Sequence, residues 1–336
     1  MTTAATTTSH RLLRLLAKLG PFIALITLMV VFRLAIGEGA TGRTFWSADN
    51  LRLMLSQTTI VTVAACGMTM IIVAGGIDLS VGSVMAVSSV TGGLTLAAGH
   101  DLALAVLVAV LAGALCGGIT GGIIAGTGIS PFIVTLGMMG VARGTAKGLA
   151  NEEVVRFPKS WVNGLMHPIP ATSEFTVFNW MVVAPGIWIA ALLALVMALV
   201  MRRTVFGRNC YAIGSNESAS RLCGVRVRTS KVLIYVLAGA IFGLAGLLDL
   251  SRLAQGNPTT GLGVELDIIA AVMIGRASLA GGTGTITGTI IGALIIGVLR
   301  AGTTQMNWPT WVQEILIGAI IVLAVGIDRL RNRRSG

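Results

Sequence analysis

Two acidic islands interrupt otherwise apolar sequence, and they are the first places where chemistry could occur. Residues 74–83 read AGGIDLSVGS, with Asp78 between a Gly pair and Ser80. A carboxylate beside hydrocarbon costs several kcal/mol unless it meets water, a counter-charge or free backbone amides. Gly75 and Gly76 are expected to break the preceding helix. Asp78 or Ser80 can then cap the next one by accepting amide hydrogen bonds that hydrocarbon cannot supply. The same carboxylate has the chemistry to line a solute path or to couple a proton. The second island, residues 261–275, reads GLGVELDIIAAVMIG. Glu265 and Asp267 stand two apart and so point to different faces of a helix. Nothing catalytic accompanies them as an acid/base pair, whereas a helix N-terminus favours both charges. GIDLSVGSVMAV and ELDIIAAVMIG share an acid, an apolar run and a Met, a pattern that an inverted or parallel internal repeat would leave.

Hydroxyls are the next candidates. Passage of a polar solute asks for many weak hydrogen bonds, since tight binding would trap it. Thr58, Thr59, Thr62, Ser80, Ser83, Ser88 and Ser89 suit such a path, and each can alternatively bond a carbonyl of its own helix. Other chemistries fall away. His10, His100 and His167 form no HExxH or Ser/His/Asp set, and Cys66, Cys116, Cys210 and Cys223 have no CxxC spacing. The run GGTGTITGTIIG lacks the GK[ST] of a phosphate loop, so no cofactor site is expected in this chain.

The elements that must position these residues follow from composition. Hydrophobic residues make up 54% of the 336 and charged residues 11%, with 44 glycines besides. A water-soluble body of this size carries about 25% charged residues. The chain is therefore expected to be an all-α, polytopic integral membrane protein. Its net charge of +11 does not signal nucleic acid. The bases cluster beside apolar runs, at Arg11, Arg14 and Lys18, between Arg202 and Lys231, and between Arg329 and Arg334, as in cytoplasmic segments that face membrane lipid. At about 20 apolar residues per helix, ten spans are predicted: 21–37, 51–74, 80–98, 102–126, 129–149, 180–201, 231–250, 264–281, 284–302 and 310–328. Those at 80–98 and 264–281 are polar enough to be broken or re-entrant. The apolar run 21–36 is longer than a secretory signal core and is expected to be retained. Both termini then fall on the cytoplasmic side, with tails 1–20 and 329–336 around a permease domain at 21–328. Loop 202–230, with six Arg and one acid, falls on that side too, and loop 151–179, with three acids and two bases, falls outside. Glycines at 113, 117 and 121, and at 284, 288 and 292, have the spacing that lets helix backbones approach closely.

Loop 202–230 differs in kind from the spans. Asn216 or Ser215 can cap a short helix through about Cys223, which Gly224 can end. Such a basic, amphipathic helix under a bundle can lie on anionic headgroups or dock a separate protein. Arg143, Lys147 and Arg276 are isolated bases near predicted span ends, within reach of headgroups.

Three ordered motifs, GGIDLSVGS (75–83), FGRNCYAIGSNESASRLCGV (206–225) and GLGVELDIIAAVMIGRASLAGGTGTITGTIIGALIIGV (261–298), resemble the ribose/xylose/arabinose type permease subunits of bacterial ABC importers. The resemblance implies about ten helices in a fold similar to type II importers. It also implies a homodimer or heterodimer with a second permease in the inner membrane, a periplasmic sugar-binding protein and a cytoplasmic ATPase that carries ATP and magnesium. By the same resemblance loop 202–230 holds the ATPase-docking segment, Glu217, Ser218, Ala219, Ser220, Arg221, Leu222, Cys223 and Gly224, of which only Ala219 and Gly224 match the general EAA-x3-G pattern. Arg276 stands where relatives commonly have Gly. Thr58, Thr62, Asp78, Ser80, Ser83, Glu265 and Asp267 are then the candidates for the translocation path or its polar framework. The rival from another class is a carrier driven by an ion gradient, with Asp78 as the coupling carboxylate.

Overall fold

The computed structural model describes residues 3–37, 45–158, 162–167 and 183–333. Among these the chain forms thirteen helices, and strand-like pairing is limited to one bridge between Val155 and Gly256. They are α1 (Thr3–Ile36), α2 (Ala48–Val73), α3 (Val81–Ala97), α4 (Leu102–Thr127), α5 (Pro131–Leu149), α6 (Val162–Leu165), α7 (Pro185–Arg203), α8 (Val205–Ser215), α9 (Glu217–Leu222), α10 (Val227–Leu253), α11 (Val264–Ile274), α12 (Ile286–Gln305) and α13 (Thr310–Arg333). Each of the ten predicted spans corresponds to one of these helices. Helix α1 runs back through the basic stretch to Thr3, and the start of the predicted span 180–201 lies outside the described residues. The chain is a multi-pass membrane protein: five helices are individually long and apolar enough to cross, and shorter apolar helices join them.

The largest departure is at 264–281, where only eleven residues are helical. At 1.5 Å per residue they rise about 16 Å, roughly half a hydrocarbon core. The rest of that crossing is the irregular segment 254–263, which turns into the bundle until Gly261 packs on Gly82 at the start of α3. Helix α3 likewise follows an irregular stretch, 74–80. Hydropathy marks 254–263, AQGNPTTGLG, as an external loop; irregular backbone at membrane depth is tolerated where protein covers it.

The order helix, break, helix, helix, helix occurs twice, as α2–α5 and α10–α13, and the two sets run in opposite senses. Helix α2 ends where α10 begins: Gly76 lies against Tyr235, and Gly67 lies against Ala238 and Phe242. Helix α3 starts at that end of the bundle, whereas α11 finishes there, with Gly281 and Gly282 against α8. Of the two repeats the sequence allowed, the inverted one is present.

Glycines at four-residue spacing set the closest crossings. A Cβ at Gly113 or Gly117 would strike the carbonyls of Gly239 or Tyr235 on α10, and Gly121 faces Tyr235 and Val232. On α12, Gly288 and Gly292 stand in the same relation to the Gly275 and Ala271 carbonyls at the end of α11. Around these contacts α2 is almost wholly enclosed, with Val63, Met68, Met70 and Ile72 inaccessible to solvent. Helices α4, α5 and α7 instead present Leu107, Leu115, Ile133, Val141, Trp188 and Leu192 outward, as helices bordering lipid do.

Candidate functional site

The polar features fall into a basic end layer and two discontinuities within the bundle. The end layer is the former loop 202–230, which is helical over most of its length. Sequence reasoning missed α8; its signal is Thr204, whose hydroxyl accepts from the Gly207 amide and caps it. Asn216 caps α9 by accepting from the Ala219 amide at 2.9 Å. The end of α9 is closed by amide bonds from Gly224 to the Arg221 carbonyl and from Val225 to the Ser220 carbonyl. That paired closure needs a left-handed residue after the cap, and Gly224 supplies it at φ +83°.

Within the expected docking segment, Ser220 is buried, while Ser218, Ala219, Arg221, Leu222, Cys223 and Gly224 are exposed, Leu222 at 89%. Glu217 turns inward. Its carboxylate accepts from Lys231 Nζ at 2.7 Å, on the first turns of α10, and from Arg221 at 3.1 Å. The Lys231 hydrogen bond holds the Glu217 carboxyl below its ordinary range, against the opposing pull of partial burial. The layer also grips both repeats. Gly214 of α8 packs on the Val73 carbonyl and on Gly281, the Gly282 amide donates to the Val73 carbonyl at 2.8 Å, and Tyr211 donates to the Gly284 carbonyl at 2.8 Å.

The first discontinuity satisfies itself. Gly75, at φ +82°, and Gly76 close α2 with bonds from their amides to the Ile72 and Ile71 carbonyls. Asp78 is 3% exposed and accepts from the Ser80 amide at 2.8 Å and the Ser80 hydroxyl at 2.6 Å. The carboxylate therefore folds onto Ser80, the residue before α3, and neither the Asp78 nor the Ser80 side chain caps the helix as the sequence suggested. Thr135 of α5 donates to the Ile77 carbonyl at 3.2 Å and pins the break to its neighbour.

The second discontinuity has its own turn, the Thr259 amide and hydroxyl donating to Asn257 Oδ1 at 2.9 and 2.7 Å, and is held further by other helices. Arg143 of α5 donates to the Pro258 and Thr260 carbonyls at 2.9 and 2.6 Å. Its guanidinium thus faces the irregular segment and not lipid headgroups. Thr260 donates to Asp249, which Arg252 also pairs at 2.7 Å, and the Asn257 amide reaches the Ser89 hydroxyl. Glu265 lies beside Gly82, within electrostatic range of Arg143. Asp267 is buried and paired at 2.7 Å with Arg300 of α12. The helix N-terminus is thus not the main partner of Asp267. Sequence reasoning missed Arg300, whose only signal was a lone cation inside an apolar run. Arg276 occupies the left-handed position after α11, φ +72°, with its amide donating to Met273 and that of Ala277 to Val272. The requirement that Gly usually meets at such a cap explains why Gly is the expected residue there.

The candidate path hydroxyls lie inside the bundle. Thr59 and Thr62 donate to the Leu55 and Thr58 carbonyls one turn back. Thr58, Ser83 and Ser88 are buried with hydroxyls that no protein group satisfies. Among the described residues no cluster of His, Cys, Asp and Glu could hold a metal ion.

Comparisons with known proteins place the chain in a family. The ribose import permease protein of Escherichia coli K12 is 35% identical over 288 residues, 86% of this chain and 88% of the relative. That of Bacillus subtilis 168 is 37% identical over 325 residues, 94% of each chain. The fructose import permease protein of Rhizobium meliloti is 36% identical over 311 residues, 92% of this chain and 84% of the relative. No solved structure matches. The family model described as "Branched-chain amino acid transport system / permease component" covers residues 50–325, taking in every helix from α2 to α12, and the chain belongs to that family of permease components.

Proposed function

We propose that this chain is the membrane gate of an importer for a monosaccharide, a ribose-like pentose or a related sugar or polyol, driven by a separate ATP-hydrolysing subunit. The family description speaks of amino acids and the relatives' names of sugars. The relatives, at over a third identity along 86–94% of this chain, weigh more for cargo class. The observation that carries the mechanism is the end layer: an exposed, capped helix, α9, stands on a basic face whose other side touches the ends of both inverted repeats. A protein pressing on α9 gains purchase on two sets of helices at once. No covalent chemistry is assigned to this chain; nucleotide and magnesium reside on the partner.

In this reading the basic layer and both termini are cytoplasmic, two permease copies or a permease and its sister enclose the path, and a binding protein docks on the opposite face and selects the cargo. The alternative, a carrier driven by an ion gradient, needs Asp78 free to exchange protons or ions, but that carboxylate is closed over by its own loop.

Uptake by reconstituted vesicles is the test. The expected result requires ATP, the ATPase and the binding protein, and survives collapse of ion gradients; uptake by the purified chain alone overturns the proposal. Docking through α9 is checked separately with Gly224→Asp, which puts a side chain at φ +83° and an acid on a basic face. This variant is expected to insert normally and to lose co-purification with the ATPase.

A further inference from the structure

Between α9 and the first discontinuity lies a cavity of about 230 Å³, bordered by Gly75, Gly76, Pro131, Glu217, Lys231 and Tyr235. Glu217, the acid of the docking helix, is spent inside the chain, on Lys231. Four residues on, and so on the same face of α10, stands Tyr235. Its ring is buried and its hydroxyl has no partner. That hydroxyl presses on Gly76, where a Cβ would come within 2.7 Å of it. Two residues further the chain reaches Asp78 and the start of α3. The first and last links are direct contacts and the middle one is a turn of α10, and the void beside them leaves room for the contacts to shift without breaking the packed core.

We propose that Glu217, Lys231, Tyr235 and Gly76 form a strut that carries displacement of the docking helix through one turn of α10 to the break before α3. The proposal rests on the importer reading and deepens it: Glu217 is a positioning residue tied to this chain's own Lys231, and the contact with the ATPase falls to Leu222 and its exposed neighbours. The pair couples two elements in space, so its role depends on opposite charge and not on which side carries it. The Gly76 contact depends on the absence of a Cβ opposite the Tyr235 hydroxyl.

The test uses the complete complex with its ATPase and binding protein in vesicles. Glu217→Gln and Lys231→Met are each expected to keep ATPase co-purification and to lower ATP-driven uptake roughly tenfold, the scale of coupling changes along contact networks. The exchange Glu217→Lys with Lys231→Glu is expected to restore most of it. At the other end, Gly76→Ala is expected to impair uptake, and Gly76→Ala with Tyr235→Phe to recover it, since the second change removes the oxygen that the new methyl meets. Normal uptake by either single charge variant, loss of ATPase binding in Glu217→Gln, or failure of either double variant to recover overturns the strut. Those results leave the importer reading standing while wild-type uptake still needs ATP; uptake without the ATPase removes that reading itself.

Discussion

The two discontinuities occupy matching places in the inverted repeat, share a local side-chain turn, and differ in how many neighbouring helices they recruit. The break at 74–80 uses its own atoms: two glycine amides close α2, and Asp78 folds onto Ser80 two residues on. The segment 254–263 contains the same kind of turn, with the Asn257 side chain accepting from the Thr259 amide and hydroxyl, and adds partners from elsewhere: Arg143 from α5, Asp249 from α10 and Ser89 from α3. A short break can satisfy its backbone locally, whereas a longer irregular run inside a membrane protein must recruit donors from neighbouring helices, because lipid offers none. The first break is therefore closed largely by its own residues, and the second is as stable as the helices around it.

Four substitutions probe that contrast, each read by thermal unfolding in detergent with a thiol-reactive dye that reports exposure of the buried Cys66 and Cys210. The largest loss is expected from Arg300→Leu, which strands the Asp267 carboxylate where it is 2% exposed. Unpairing one member of a buried ion pair costs about 3–5 kcal/mol. Asp267→Asn in the same background should recover part of it, and absence of recovery would show that the pair is not what anchors α11. Next comes Arg143→Met, which removes one charged nitrogen shared by two carbonyls of the recruited segment, at about 1.5–3 kcal/mol in all. Asp78→Ala is expected to cost less, about 0.5–2 kcal/mol in the range of lost capping groups, because the glycine closure of α2 persists without it. Equal losses for Arg143→Met and Asp78→Ala would erase the distinction between the two breaks. The smallest effect carries the opposite sign. Ala254 ends α10 at φ +55°, a left-handed conformation that costs a residue with a Cβ about 1–2 kcal/mol. Ala254→Gly should raise the melting temperature slightly, and a fall would show that the flexibility of the recruited segment outweighs relief of strain.

The Glu217–Lys231 tie lies outside this contrast and has its own pH signature. Its carboxyl is held low in the folded chain, so the contribution is present above the ordinary carboxylate pKa and is lost as pH falls through the lower folded value. The stability difference between the native chain and Glu217→Gln should accordingly persist at neutral pH and vanish only in strong acid.

What could be read from sequence follows the range of the interactions. Ten helices were legible because an apolar run declares its helix without knowledge of its neighbours. The cap at Asn216, the stop at Gly224 and the close helix crossings at Gly113, Gly117 and Gly121 were legible too, since each follows from residue type and local spacing. Asp267 with Arg300, and Arg143 with the Pro258 and Thr260 carbonyls, were not. These partners lie 33 residues apart in the first pair and more than 100 in the second, brought together only by packing. That 264–281 could be broken was legible from its polar residues, but the packing of 254–263 inside the bundle was not: polar, Gly- and Pro-bearing sequence looks alike whether it faces water or lies clasped among helices.

Gly214 sits where the two halves of the molecule come to a common floor, with the Val73 carbonyl on one side and Gly281 and Gly282 on the other. Neither half can lift from that floor without the other feeling it, because Gly282 is itself bonded to Val73. A methyl group added at residue 214 would therefore act as a permanent wedge under both.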